Sequence, residues 1–513
     1  MTVGQATCVA LEGLEGLMVT VECDVGRGLP GVSVVGLGDA AVVQARDRIR
    51  SAMQNTGVAW PGSRVVMSLS PAAIPKAGSG YDVAMVCSIL AARDRQVQRR
   101  LSGAVLVGEL GLDGAIRGVP GVLTIVRTAS QAGFQRVIIP GANLVEGQRA
   151  AVHYDIEVLY ATHLTDLVAW LDGYDLPPVG EVMQKEGRPR VPDMADVVGQ
   201  PTARRALEIA AAGGHAIMLQ GPPGSGKSML AERLPGILPP MQPNEQIEAA
   251  EVHSIAGDQG NLDGIWHGIR PFVSPHHSVT TAGLVGGGSG RLRPGAASLA
   301  HHGVLFIDEV AEARPSVIDS LRVPMEQRKV ELVRAQRTLT FPAQFQLVMA
   351  ANPCPCGAER AAECRCPSRS RSRYQARLSG PLKDRIDVFA RTVTSQDALV
   401  QSSGEESTEV VAERVQEAAM RARRRWDSLG LAPEGTMNNS TVPSTLLRTD
   451  WAPHPDGILA LEELLRDGTL TQRRIDRAIR VAWTMCDLDG AERPNLGHVM
   501  DAADMRSEEA LAA

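Results

Sequence analysis

Apolar and polar positions alternate in two different rhythms along the first third of this chain. The short runs 17–21, 65–68, 104–107 and 136–139 have the length and β-branched content of strands. The stretches 82–93 and 122–132 instead repeat their apolar positions at helical spacing. That mixture predicts an α/β or α+β unit over residues 1–175. The rhythm then stops. LPPVGEVMQKEGRPRVP, which fills 176–192, has no period and carries prolines near both ends, so it predicts a linker. From 193 to 395 strand-like runs alternate again with helical stretches, as in a parallel sheet wrapped by helices. Residues 396–505 carry a nearly continuous helical pattern, broken around 430–443, and SEEALAA reads as a frayed tail.

Composition narrows the classes. Hydrophobic residues make up 44% and aromatics only 3%, so the cores rest on Val, Leu, Ile, Ala and Met. The net charge of -6 excludes a polycation, so any nucleic-acid contact must come from local basic patches. No apolar run reaches bilayer length, and MTVGQATCVALEGLEG lacks the basic and apolar regions of a signal peptide. A cytoplasmic protein is expected, and its eight cysteines then read as thiols or metal ligands.

The sharpest chemistry follows the apolar run 216–219. GPPGSGKS places Gly221, Pro222, Pro223, Gly224, Ser225, Gly226, Lys227 and Ser228 between a strand and a helix. Glycines let backbone N–H groups close on phosphate oxygens, and the helix N-terminus adds its positive dipole end. Lys227 supplies a point charge to the β- and γ-phosphates, and Ser228 a Mg²⁺ ligand. A second strand, within GVLFIDEV, ends in Asp308 and Glu309. Carboxylates at the C-terminal end of a parallel strand face the ligand crevice. Asp308 is expected to hold Mg²⁺ and Glu309 to polarise the attacking water. A third run, 345–351, ends in Asn352, whose amide can orient that water or touch the γ-phosphate.

Four cysteines, Cys354, Cys356, Cys364 and Cys366, form C-x-C-x₇-C-x-C. They can hold a structural Zn²⁺, or stand as reduced thiols or a redox pair. Cys8, Cys23, Cys87 and Cys486 are scattered and read as core residues. The arginines between Arg360 and Arg377 (Arg365, Arg369, Arg371 and Arg373) are a candidate DNA contact, and RARRR at 421–425 is a weaker one.

DVVGQ (196–200), GPPGSGKS, VLFIDEV, AANPCPCG (350–357), LSGPLKDRIDV (378–388) and LTQRRIDRAIRVAWTMCDL (470–488) together resemble the ComM-like branch of the magnesium-chelatase AAA+ proteins. The resemblance implies an AAA+ P-loop core with a helical lid, working as a homo-hexameric ring with ATP between subunits. It implies an arginine finger at Arg385, a sensor-2 arginine at Arg473, and an adenine-side contact at Val198 and Gly199. Two segments could then face the ring pore: the Gly-rich stretch 275–295, and a hairpin over 329–341 with Arg334 and Arg337 near its tip.

Residues 68–92 and 106–140 resemble the S5-type domain of Lon proteases, whose active members use a Ser and a Lys. Ser79 stands one position off the nucleophile, where Gly80 aligns, and Leu123 occupies the base position. Leu accepts no proton, so a non-proteolytic module is expected. The implied function is DNA translocation or branch migration during recombination or DNA uptake. The competing readings are a chelatase motor acting on a porphyrin and a nucleotide-switched DNA-binding scaffold.

Overall fold

A computed structural model describes residues 3–506 apart from 27, 36–39, 73–75, 77, 181–188, 190, 259, 289–291, 335–336, 359–362, 378–379, 395–404 and 431–436. It is mixed α/β. In the first unit the strands Gly31–Val35, Arg64–Ser70, Glu15–Gly26, Gly4–Glu12, Ala104–Leu106, Arg136–Pro140 and Glu157–Ala161 lie side by side in that order. The two long strands pair antiparallel with Gly4 opposite Cys23, and the last three strands run parallel. Alternation decides their faces: Cys8, Val19, Val21 and Cys23 are fully buried. The Leu176–Gly180 end of the expected linker continues this sheet edge, since Val179 N donates to Val158 O (3.0 Å) and Tyr160 N to Pro177 O (3.2 Å).

Among the described residues the second sheet has five strands in the order Phe272–Val273, Val304–Ile307, Gln346–Ala351, Ile217–Gln220 and Val388–Arg391, all parallel. The Val304–Ile307 strand is buried along its whole length, as a strand covered on both faces must be. One face carries helices Pro201–Gly213, Lys227–Ile237, Thr408–Asp427 and Gln472–Leu488, whose apolar residues merge with the sheet in one core. Helix Thr408–Asp427 shows why: Val411, Val415, Ala418, Ala422 and Trp426 recur at helical spacing and are its buried residues. Ser407 caps it by accepting from Val410 N. The opposite face is covered by Leu284, Val317, Leu321 and Ile386.

The two units are joined by more than chain. Helix Val122–Gln131 packs on helix Pro243–Ala256, and Val122, Ile125, Ile247, Leu262 and Trp266 share one apolar cluster. Gly121 N donates to Ser254 Oγ (3.0 Å), Tyr154 Oη donates to Glu251 (3.0 Å), and Arg127 pairs with the same carboxylate. Among the described residues, no helix is long and apolar enough to cross a membrane.

Candidate functional site

The phosphate loop leaves the sheet where strand Ile217–Gln220 ends, with Gly221 N donating to Ala351 O of the neighbouring strand (3.2 Å). A Cβ on Gly221 would stand 2.1 Å from Thr392 Oγ1, so no side chain fits there. Gly226 has φ +84° and opens helix Lys227–Ile237, and nothing lies within 4 Å of where its Cβ would be. The loop is thus braced from behind and open in front. Ser225 supplies the brace, donating to Pro222 O (2.8 Å) and accepting from Thr392 Oγ1 (2.6 Å). Gln200 adds to it with a bond to Ser225 O (3.2 Å).

Lys227 is only 9% exposed. Its ammonium donates to Gly221 O and Pro222 O (both 2.8 Å) and to Asn352 Oδ1 (3.1 Å). Burial lowers its pKa, and the negative charges of Asp308 and Glu309 oppose that shift. Ser228 Oγ donates to Asp308 Oδ2 at 2.8 Å, so the hydroxyl and carboxylate expected to share a Mg²⁺ already share a proton. Glu309 has φ +47°, a left-handed backbone that few non-glycine residues adopt. Its carboxylate lies 3.2 Å from His277 Nδ1. Lys227, Ser228, Asp308, Glu309 and Asn352 therefore converge on one crevice at the C-terminal edge of the sheet. The residues fit a magnesium nucleotide in charge, in oxygen donors and in open space over the glycines.

Arg385 and Arg473 are elsewhere. Strand Val388–Arg391 runs parallel to Ile217–Gln220 with Val388 opposite Ile217, so Arg385 lies beyond the N-terminal edge of the sheet. There its guanidinium pairs with Glu326 and its carbonyl accepts from Arg477 Nη1 (3.0 Å). Arg473 is exposed, one helical turn before Arg477 on Gln472–Leu488. Neither arginine meets the phosphate loop of its own chain. Two residues after Arg385 sits Asp387, 3% exposed and facing Arg477, His215 and Arg506. Burial alone would raise its carboxyl pKa, but Arg477, His215 and Arg506 outweigh that and hold it below the usual carboxylate range.

Gly199 N donates to Glu405 Oε1 (3.0 Å), and Val198 beside it is partly buried. The 329–341 hairpin forms as Lys329–Arg334 against Arg337–Pro342, with Arg334 opposite Arg337 at the turn. The residues between those two arginines lie outside the described set. Of the Gly-rich stretch, Gly286–Gly287 pairs antiparallel with Arg293–Pro294, and 289–291 lie outside. Two arginines of the RARRR cluster are spent internally: Arg421 donates to Asp487 O (2.6 Å), and Arg425 binds the Asp487 carboxylate while stacking 4.1 Å over Trp483. In the Lon-like unit Ser79 donates to Glu109, and Leu123 is fully buried.

Among the described residues, two clusters have ligand-like composition. The sulfurs of Cys354, Cys356, Cys364 and Cys366 all lie within 4.8 Å of one another. Glu248, His301 and His302 meet the same limit. For that trio the hydrogen bonds decide against a metal. Gln344 N donates to His301 Nδ1 (3.1 Å), so the neutral ring carries its proton on Nε2, the atom that faces Glu248 at 3.4 Å.

His277, Thr392, Asp387 and Arg477 also belong to these sites. Asp387 and Arg477 fall inside the segments 378–388 and 470–488 that carry the family resemblance, and His277 inside 275–295, but no motif gives any of the four a role, because their partners are distant in sequence.

Comparison with known proteins agrees with this architecture. The family model described as "Magnesium chelatase, subunit ChlI" matches residues 193–399. "Subunit ChlI of Mg-chelatase" matches 21–143, and "Magnesium chelatase, subunit ChlI C-terminal" matches 405–506. An uncharacterized protein of Mycobacterium tuberculosis is 43% identical over 99% of both chains. Protein YifB of Escherichia coli is 35% identical over 97% of this chain and 96% of its own. Competence protein ComM of Haemophilus influenzae is 35% identical over 96% of each. A shorter stretch, 30% of this chain, is 31% identical to Lon protease 2 of Bacillus subtilis. The chain belongs to the ComM and YifB branch of the magnesium-chelatase ChlI family of AAA+ ATPases.

Proposed function

We propose that this chain is one subunit of a homo-hexameric ring that hydrolyses ATP to move DNA strands, in branch migration during recombination or uptake of DNA. One observation carries the ring: the phosphate loop and Arg385 occupy opposite edges of one sheet, so a complete site needs the arginine of a neighbour.

In this reading Val198 and Gly199 lie beside the adenine, and residues 221–228 hold the phosphates. Ser228 and Asp308 hold Mg²⁺, whose charge offsets that of the phosphate oxygens. Glu309 takes a proton from the attacking water, with His277 fixing the direction of its carboxylate. Asn352, tied to Lys227, positions the same water. Arg385 and Arg473 of the neighbouring subunit stabilise charge on the departing phosphate. The cysteine tetrad holds a structural zinc ion.

The DNA role rests on the 329–342 hairpin and the 275–295 stretch as sequence-independent phosphate contacts, and on the competence-protein name of the Haemophilus relative. A chelatase motor is the reading suggested by the family descriptions. ATPase assays with single-stranded, double-stranded and branched DNA separate the two. Stimulation several-fold above the basal rate is expected with at least one DNA. A rate unmoved by every DNA sinks the translocase reading, and full ATPase in Lys227→Ala sinks the site itself.

A further inference from the structure

We infer that the zinc ion on Cys354, Cys356, Cys364 and Cys366 acts as a clamp on the ATP site, so that turnover depends on the ion; this rests on the ATPase reading above. Tetrahedral zinc with Zn–S bonds of about 2.3 Å places its sulfurs about 3.8 Å apart. The observed separations are 3.3 Å for Cys354–Cys356, 3.4 Å for Cys354–Cys364 and 3.7 Å for Cys356–Cys364. A disulfide would need about 2.0 Å. Two C-x-C pairs thus bring four sulfurs, Cys366 included, within 4.8 Å of one another, which suits a soft, tetrahedral cation and no oxygen-seeking one.

The cluster also ties together segments that line the ATP site. Cys354 follows Asn352 by two residues, and Asn352 Oδ1 accepts from Lys227 at 3.1 Å. The turn after Cys356 lies on the phosphate loop itself: a Cβ on Gly357 would stand 2.5 Å from Pro223 Cδ, and Gly357 has φ +70°. On the other side, Cys364 and Cys366 lead into helix Ser368–Gln375. Past its end Arg377 donates to Ala311 O (2.8 Å) and Glu312 (2.9 Å), two and three residues beyond Glu309. Tyr374 from that helix is buried and hydrogen-bonded at the Asn352 backbone. One ion therefore closes a loop whose two ends grip the asparagine strand and the segment after the catalytic acids, with the turn seated on Pro223. Polar and arginine-rich, this stretch has little apolar surface to hold that shape unaided.

The test uses the full chain. Mass spectrometry of metals should find one zinc per chain, and protein grown with cobalt should show the absorption pattern of a tetrahedral tetrathiolate site. The Cys364→Ser/Cys366→Ser double variant should lose the metal, keep its affinity for a fluorescent ATP analogue within about threefold, and lose about tenfold in kcat with KM nearly unchanged. Gly357→Ala guards against misfolding: it keeps every thiol and should retain zinc, yet lower kcat by lifting the turn off Pro223. Metal-free wild-type protein overturns the site. A zinc-free double variant with wild-type kcat overturns the clamp. Zinc-loaded wild type with no ATPase overturns the catalytic reading while the metal site stands.

Discussion

A hydroxyl 2.8 Å from a carboxylate, Ser228 on Asp308, is the smallest unit of the proposed nucleotide site. Its neighbours divide the labour by charge. Lys227 is held with Asn352 and two loop carbonyls, while Glu309 is turned aside on a left-handed backbone toward His277. Glu309→Gln keeps the shape and removes the proposed base, so nucleotide affinity should persist while kcat falls by about a hundredfold or more. Paired binding and steady-state ATPase measurements check this; equal loss of binding and turnover would assign Glu309 a structural role. Lys227, Ser228 and the two acids were legible in the sequence because phosphate loops use contiguous residues and strand ends announce themselves. His277 and Thr392 were not, because their partners are set only by how the strands line up.

Elements behave differently from residues. The strands around the site were readable as unbroken apolar runs, and the helices by their period. Their ends shifted by a residue or so, since hydrogen bonding to a neighbouring strand decides where a run stops. Packing between elements was invisible, and Asp387 is the clearest case, a buried carboxylate joining strand Val388–Arg391 to helix Gln472–Leu488 through Arg477. Asp387→Asn leaves Arg477 and Arg506 facing each other without the charge between them. Unfolding in urea should show a loss of about 3–5 kcal/mol. A loss under about 1 kcal/mol would mean solvent screens the arginines there.

His301, at the start of the Val304–Ile307 strand, gives a second test at this scale. Burial lowers its imidazole pKa from 6.5 to about 4, among Glu248, His302 and Glu245. Between those values the unfolded chain binds a proton that the folded chain refuses. Stability should therefore fall as pH drops from 6.5 to 4, by on the order of 3 kcal/mol from this group. His301→Gln should flatten that part of the pH profile; an unchanged profile would remove His301 as its source.

For the whole molecule, the decisive geometry is the separation of Arg385 from its own phosphate loop by the length of a sheet. Two inactive variants should then repair each other. Glu309→Gln chains supply Arg385, and Arg385→Ala chains supply Glu309, so a one-to-one mixture assembled at random should regain about a quarter of wild-type ATPase. No recovery after subunit exchange would mean that the arginine acts within its own chain. The sequence pointed to a ring only through family likeness, because contacts between copies leave no periodic signature in one chain.

The shared apolar seam between helices Val122–Gln131 and Pro243–Ala256 has a practical corollary. A protease cut between the two halves would not yield independent parts. Each fragment would bare a greasy scar, Val122 and Ile125 on one piece, Ile247, Leu262 and Trp266 on the other, and both would clump. Anyone wanting the engine without its front end would have to repaint that scar with polar side chains first.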